Sequence, residues 1–446
     1  MCAQPSHGLR NKNAAGTKAH ELLSSKSRKS VGLTATPVIN SPKDLMGIAT
    51  AMDLTAGLKG PAQWFLDKEQ TRVNTQTIRY FNGKYVDRAD DSILELPPIT
   101  HEQENFDVCM DPDVVADYND VLSRARRLRF SIERNGGRAH RNEMNKLMAY
   151  LQTMQQFLVS PLLADKGATE LKQKPELFEE AAKVDSGALK ALRDTVLRLK
   201  KRGFKRIMVA ACHTSLLRIA NLYLKKNCPE AGDIITYDGS LSQSKRTNAV
   251  DSFLGGSNTV MLMSIDAGGT GLHLVPGANA VVFWGSRPFS PLQILQTSKR
   301  VHRIGQKHPV TVIHLIADGS VDSAINAVHG DKLTLSNAVI DMQLDGLDAA
   351  GGKWRTTGKI VDMLKFLDEN GVFPEVDITE AEAERAIRER ETAIMQPTQD
   401  NSHDFVSSIL NMDDGLPSLP PRIVQASTQN AGNLASASGA LNAPSL

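Results

Sequence analysis

Cysteine is scarce: Cys2, Cys109, Cys212 and Cys228 are the four in 446 residues, far apart and never as a CxxC pair. That excludes a disulfide framework, argues against a zinc site and fits a reducing compartment. Long apolar runs are missing too. No stretch approaches the roughly 18 to 20 residues that a bilayer-crossing helix needs, and the polar N-terminus carries no signal-peptide core. The expectation is a soluble intracellular protein with no membrane partner. The 11 histidines form no HExxH or paired metal spacing, and no repeat of about 20 to 50 residues is visible. Net charge is nearly absent, at +2.

That near-neutrality hides a division. Residues 341 to 446 hold 17 acidic and 8 basic side chains, so the first 340 residues carry the remaining 44 basic and 33 acidic ones. A basic body with an acidic tail fits a polyanionic partner, although surface charge alone is mostly solvation.

A hydrophobic share of 41% suffices for real cores. From Arg206 to Asp331 short apolar runs alternate with helix-spaced segments: IMVAA (207 to 211), IITY (234 to 237), TVMLMSI (259 to 265), AVVFW (280 to 284) and VTVIHLI (310 to 316). Runs this short, rich in Val and Ile and bounded by polar or Gly/Pro residues, read as strands buried on both faces. LLRIANLYLKK and SQSKRTNAVDSFL between them have helical spacing. Strand, helix, strand in this order predicts an α/β domain with a parallel sheet and helices on both faces. Upstream, one strand-like run, SVGLT (30 to 34), precedes a helix containing LMGIATAMDL, and residues 60 to 200 look mostly helical. Beyond Ile340 lies an acidic helical stretch, and from Gln396 onward a polar tail without periodicity is expected to be disordered.

The most specific segment is Gln293-Ile-Leu-Gln-Thr-Ser-Lys-Arg-Val-His-Arg-Ile-Gly-Gln306. In a continuous helix Gln293, Gln296, Arg300 and Arg303 would share one face. Two amides and two guanidiniums in one stripe make poor core and a good clamp for phosphate oxygens, because arginine offers a fixed, permanently charged fork. Ahead of it, Ser264-Ile-Asp-Ala-Gly-Gly-Thr-Gly-Leu-His-Leu274 follows a predicted strand, where glycines let backbone approach a ligand. Further upstream stand Tyr237-Asp-Gly-Ser240 and, near the start, Leu33-Thr-Ala-Thr-Pro-Val-Ile-Asn40. The basic run Arg198, Lys200, Lys201, Arg202, Lys205 and Arg206 reads as a phosphate contact or as a solvated helix end.

QxxxRxHRIGQ, with the other segments in this order, resembles the sixth, fifth, fourth and third motifs of Swi/Snf-type helicase-like ATPases, superfamily 2 translocases on double-stranded DNA. The similarity extends to ILELPP (93 to 98) with Tyr118, and to Gln155, Gln156 and Pro161, and covers about residues 7 to 335. It implies two RecA-like lobes, of which residues 1–58 are the end of the first, 59–185 a helical insertion, 186–338 the second lobe, 339–395 an acidic helical extension and 396–446 the tail. By the same resemblance Arg300 and Arg303 are the arginine fingers. Gly269, Gly271, Gln296, Gly305 and Gln306 belong to the nucleotide side, and Thr34, Thr36, Asn40, Ser264, Gly268, Thr270 and Gln293 to DNA contact or coupling. Lys299 and His273 depart from the family pattern.

For the family the cofactors are ATP and Mg²⁺, and the partners double-stranded DNA or nucleosomes, in the nucleus or in the DNA compartment of a virus or microbe. His7-Gly-Leu-Arg-Asn11 resembles the end of the DEAH box, which puts two acids at positions 4 and 5. Gln4 and Pro5 stand there instead, and neither can hold Mg²⁺ or orient a water. No GxxxxGK[ST] loop is found either. The expectation is therefore the C-terminal portion of such an ATPase, unable to hydrolyse ATP alone. The alternatives are a half-enzyme completed in trans by a polypeptide carrying the missing lobe, or a non-catalytic DNA- or nucleosome-binding module.

Overall fold

The computed structural model describes residues 2–5, 9, 13–33, 44–54, 75–87, 91–108, 112–134, 141–164, 170, 173–268 and 272–329, with Leu364 and Leu367. Two strands, β1 (Cys2–Pro5) and β2 (Ser30–Leu33), pair in parallel with Gln4 opposite Gly32 and Pro5 opposite Leu33. The sequence suggested one strand here. CAQP has no apolar alternation and contains a proline, so only its neighbour across the sheet reveals it. The residues at positions 4 and 5 thus stand on a strand. Helices Ala15–Lys26 and Asp44–Ala51 accompany this pair.

The main body is a six-stranded sheet in the order β3-β8-β7-β4-β6-β5, parallel throughout. Its strands are β3 (Ile99–Phe106), β4 (Arg206–Ala211), β5 (Asp233–Tyr237), β6 (Thr259–Ser264), β7 (Ala280–Phe283) and β8 (Val310–Ala317). Because side chains alternate along a strand, each central strand feeds two cores. Ile207, Val209, Val260, Leu262, Val282 and Ile313 pack on one face beneath helices Gly187–Lys201 and Thr214–Asn227. Met208, Met261, Met263, Val281, Phe283 and Val312 pack on the other, with Phe253 of helix Gln243–Gly255 and Ile294 of helix Pro291–Ser298. Burial on both faces is why these strands read as unbroken apolar runs. Ser186 and Ser242 cap their helices by accepting the N–H groups of Leu189 and Lys245. The indole of buried Trp284 donates to the Ala188 carbonyl at 2.7 Å, pinning the first of these helices to the end of β7.

Strand β3 corrects the helical reading of residues 60 to 200, since it forms one edge of this sheet in register with β8. Its sequence, ITHEQENF, is polar and alternately exposed. Glu, Gln and Asn have low strand propensity, so pairing with β8 makes it a strand. Helices Pro112–Arg134 and Arg141–Val159 do fall in that segment. They share a core with helical residues 321–329: Tyr118, Leu122, Leu147, Leu151 and Phe157 pack against Val321, Ile325 and Val328. Apart from Leu364 and Leu367, which join this core, residues beyond 329 lie outside the described part, including the expected acidic extension and tail.

Candidate functional site

In an all-parallel sheet every strand ends at the same edge, and there the loops can gather polar groups into a crevice. Here β4, β5, β6 and β7 lead into Cys212, Tyr237-Asp238, Ser264 and the 284–290 loop.

The glutamine- and arginine-bearing segment begins as helix Pro291–Ser298. It does not continue as one helix to Arg303. The Ser298 hydroxyl donates back to the Ile294 carbonyl at 2.9 Å, and the chain then proceeds in tighter turns: the N–H groups of Arg300 and Val301 donate three residues back, to Thr297 and Ser298. The expectation of a single helical stripe is corrected to this extent. Gln293, Gln296 and Arg300 are nevertheless part-exposed and Arg303 exposed, while Leu292, Ile294, Thr297, Ser298 and Val301 are buried. Packing thus turns these apolar residues inward and leaves the four polar ones at least partly accessible.

Arg300 is half-buried, and loss of hydration, then the nearby Arg303 charge, lowers its pKa, opposed by the Tyr237 phenol. Like charges set side by side and partly desolvated are stabilised by an anion, and guanidinium forks match phosphate oxygens. Among the described residues none hydrogen-bonds the Arg303 guanidinium. The Arg300 carbonyl accepts the N–H of Leu274 at 3.2 Å, which fixes this segment to the chain emerging from the glycine-rich loop. Gln293 Nε2 makes a long 3.4 Å contact with Asp266 Oδ1 in the same loop. Crowding by protein atoms raises the Asp266 pKa.

Two residues expected at ligand contacts bond within the fold. Gln306, only 6% exposed, donates to the carbonyls of Ala278 and Val301 and accepts the N–H groups of Lys307 and His308. All four of its hydrogen-bonding positions serve the backbone, leaving none for a nucleotide. Buried Ser264 caps the short helix Ile265–Gly268, its hydroxyl accepting the Ala267 N–H at 3.3 Å. Gly305 has φ +97°, a left-handed conformation that glycine adopts without strain, so it serves the turn itself. Gly268 ends the short helix. Thr34, Thr36, Asn40, Gly269, Thr270 and Gly271 lie outside the described residues.

The basic run at 198 to 206 is largely engaged inside the fold: Arg198 with Glu104, Arg202 with Glu102, Lys200 with three oxygens, and Arg206 with the carbonyls of Gly256 and Gly277. The turn Asp238–Ser240 is closed by the Asp238 carboxylate accepting the Ser240 N–H, and Arg246 donates to the Gly239 carbonyl. Sequence reasoning missed Asp266 and the proximity of Tyr237 to Arg300. A single acid in a turn has no periodicity to flag it, and Tyr237 lies on another strand. It also missed His302, whose Nε2–H donates to the Pro97 carbonyl at 2.7 Å and ties the segment to the loop before β3. Among the described residues no three His, Cys, Asp or Glu side chains converge to hold a metal, and no helix is long and apolar enough to cross a membrane.

Comparison with known proteins shows what the chain is similar to. Residues 187–305 match the helicase conserved C-terminal domain. The chain is 30% identical over 210 residues to the chromodomain-helicase-DNA-binding protein 3 homolog of Caenorhabditis elegans, covering 46% of this chain and 11% of that protein. It is 33% identical over 169 residues to the SWI/SNF-related matrix-associated actin-dependent regulator of chromatin subfamily A member 1 of Mus musculus, covering 37% of this chain and 16% of the relative. The chain thus spans well under two thirds of these relatives. Among solved structures it resembles the Sulfolobus solfataricus SWI2/SNF2 ATPase core in complex with dsDNA, at 18% identity and a TM-score of 0.43, covering 83% of this chain and 72% of that one.

Proposed function

We propose that this chain, which carries the helicase conserved C-terminal domain at residues 187–305 and is similar to a SWI/SNF-related regulator of chromatin, is the C-terminal portion of a Swi/Snf-type ATP-dependent translocase on double-stranded DNA. Its second lobe, expected at residues 186–338, supplies Arg300 and Arg303 to a triphosphate held by another lobe. The observation that carries this reading is the pair Arg300 and Arg303 in the segment after β7, the first half-buried and within electrostatic reach of the exposed second. Such a pair neutralises charge that develops on a transferring phosphoryl group, an effect on the order of 10³ to 10⁵ in rate for an arginine finger. Gln293 and Gln296, both part-exposed, add neutral donors in the same segment. ATP would supply the energy, and Mg²⁺ would supply positive charge to offset that of its phosphates. The guanidiniums fit phosphate oxygens, whereas Gln4 and Pro5 do not fit Mg²⁺, so no step is routed through the metal. Double-stranded DNA or nucleosomes are the proposed partners and the nucleus the proposed location.

A second reading, a non-catalytic DNA- or nucleosome-binding module, is favoured by the Gln and Pro on β1 where the resemblance places acids. A half-enzyme completed in trans is a third, supported if ATPase appears only on mixing with a polypeptide carrying a phosphate loop. Phosphate release by the purified chain, with and without duplex DNA, tests these together with DNA affinity across a salt series. The expectation is background hydrolysis and duplex binding that weakens steeply with salt. DNA-stimulated release abolished by Arg303→Ala would overturn the expectation that the chain is inactive alone. DNA binding unaffected by Arg303→Ala or by ATP would favour the binding module, and failure to bind duplex DNA at low salt would refute the translocase reading.

A further inference from the structure

A polar node joins the two helices ahead of the lobe to the loop that launches the arginine segment. Gln155, on helix Arg141–Val159 and 1% exposed, uses both amide hydrogens there: one to the Arg287 carbonyl at 2.9 Å, the other to Asp322 Oδ1 at 3.0 Å. Asp322 also accepts the backbone N–H of Arg287, so residue 287 is held through both its main-chain groups. The Arg287 side chain reaches Asn326 at 2.6 Å and His329 at 3.3 Å, and His329 donates to the Pro288 carbonyl at 2.8 Å. On the other side Ser286 accepts the N–H of Cys212, at the end of β4. Tyr118, from the preceding helix Pro112–Arg134, accepts the Val321 N–H at the start of helical residues 321–329. Residues 286–288 are therefore gripped from three sides, and three residues later Pro291 begins the helix that leads to Arg300 and Arg303.

We infer that Gln155 is a positioning residue: the joint through which the helical segment 112–159 fixes where the chain of residues 287–303 begins, and so where Arg300 and Arg303 stand. The geometry makes this specific. Gln155 touches neither arginine, yet it spans two elements of the lobe, the loop after β7 and helix 321–329, that meet at Asp322. Displacing the helices would carry residues 287–303 with them. The surrounding apolar contacts of Phe157 and Leu151 supply cohesion, while the amide supplies direction, because a hydrogen bond fixes orientation where an apolar contact slides. The importance of the segment rests on the function proposed above, but the joint does not.

The test is hydrogen exchange on the full chain, resolved by segment. Gln155→Met keeps the shape and removes both donors. Protection of residues 287–303 should fall by roughly tenfold or more, the factor expected from losing a hydrogen bond to a charged partner, while β4 and β6 keep wild-type protection. Gln155→Glu places a second carboxyl beside Asp322, near Arg287, His329 and Cys212. At pH 9 it should loosen the same segment, and at pH 6, once protonated and able to donate, it should restore part of the protection. A purely space-filling role would not give that recovery. Unchanged protection of 287–303, an equal fall across the whole sheet, global unfolding of Gln155→Met, or Gln155→Glu behaviour independent of pH would each overturn the inference. Nucleotide and DNA play no part in this readout, so failure of the motor reading would appear separately, in the phosphate-release and DNA-binding assays.

Discussion

Replacing Gln306 by Leu should destabilise the lobe while leaving both arginines chemically intact. The amide donates to two carbonyls, those of Ala278 and Val301, each at 2.8 Å, and its own oxygen accepts from Lys307 and His308 at 3.0 and 3.1 Å. Lys307 and His308 are exposed, so their N–H groups turn to water at little cost. Ala278 and Val301 are fully buried, and their carbonyls would be left without this donor. An orphaned buried polar group costs about 1–3 kcal/mol, so two cost about 2–6 kcal/mol. The apolar leucine offsets about 1–2 kcal/mol of this, so the mid-range values, about 4 less about 1.5, leave a net loss of about 2.5 kcal/mol. Urea unfolding followed through Trp284, with Trp64 and Trp354 replaced by Phe, would read the change. For a urea slope of about 1–3 kcal/mol per molar, the midpoint should fall by roughly 1 M. An unmoved midpoint together with weakened nucleotide binding would refute the reasoning and return Gln306 to a ligand-contacting role.

Gly305→Ala should cost about 1–2 kcal/mol, because φ is +97° there and the new methyl would also meet Val275 Cγ1 at 3.4 Å; a thermal melt equal to wild type would contradict it. Burial holds His314 neutral, pushing its pKa down from 6.5 to about 3, and His213 down to about 4. The unfolded chain binds more protons below pH 6.5, so this stability is complete above 6.5 and drains away as pH falls toward 3, by up to about 1.4 kcal/mol per pH unit per histidine. His314→Phe, which can keep the stack on Phe283 seen at 5.3 Å, should lessen the slope by about one proton. An identical pH profile would rule His314 out as a source. Trp284→Phe should cost about 0.5–1.5 kcal/mol through loss of the indole hydrogen bond to the Ala188 carbonyl, measurable by calorimetry; a melt equal to wild type would show that this bond contributes nothing.

The sequence by itself determined the central strands. Val- and Ile-rich runs bounded by polar residues can be buried on both faces only in a covered parallel sheet, and β4 to β8 lie within a residue or two of the runs at 207, 234, 259, 280 and 310. It also determined which residues of the 292–303 segment turn inward, among them Leu292, Ile294 and Val301. Tertiary structure decided the rest, because those features depend on partners far away in the chain. ITHEQENF is a strand because β8 offers it an edge, 210 residues on. Gln306 faces the core because four backbone groups around it need partners, and local spacing cannot show this. Gln155 meets Arg287 and Asp322 across 132 and 167 residues. Periodicity records which side of an element is apolar, while the pairing of buried polar groups is set by whichever elements the folded chain brings together.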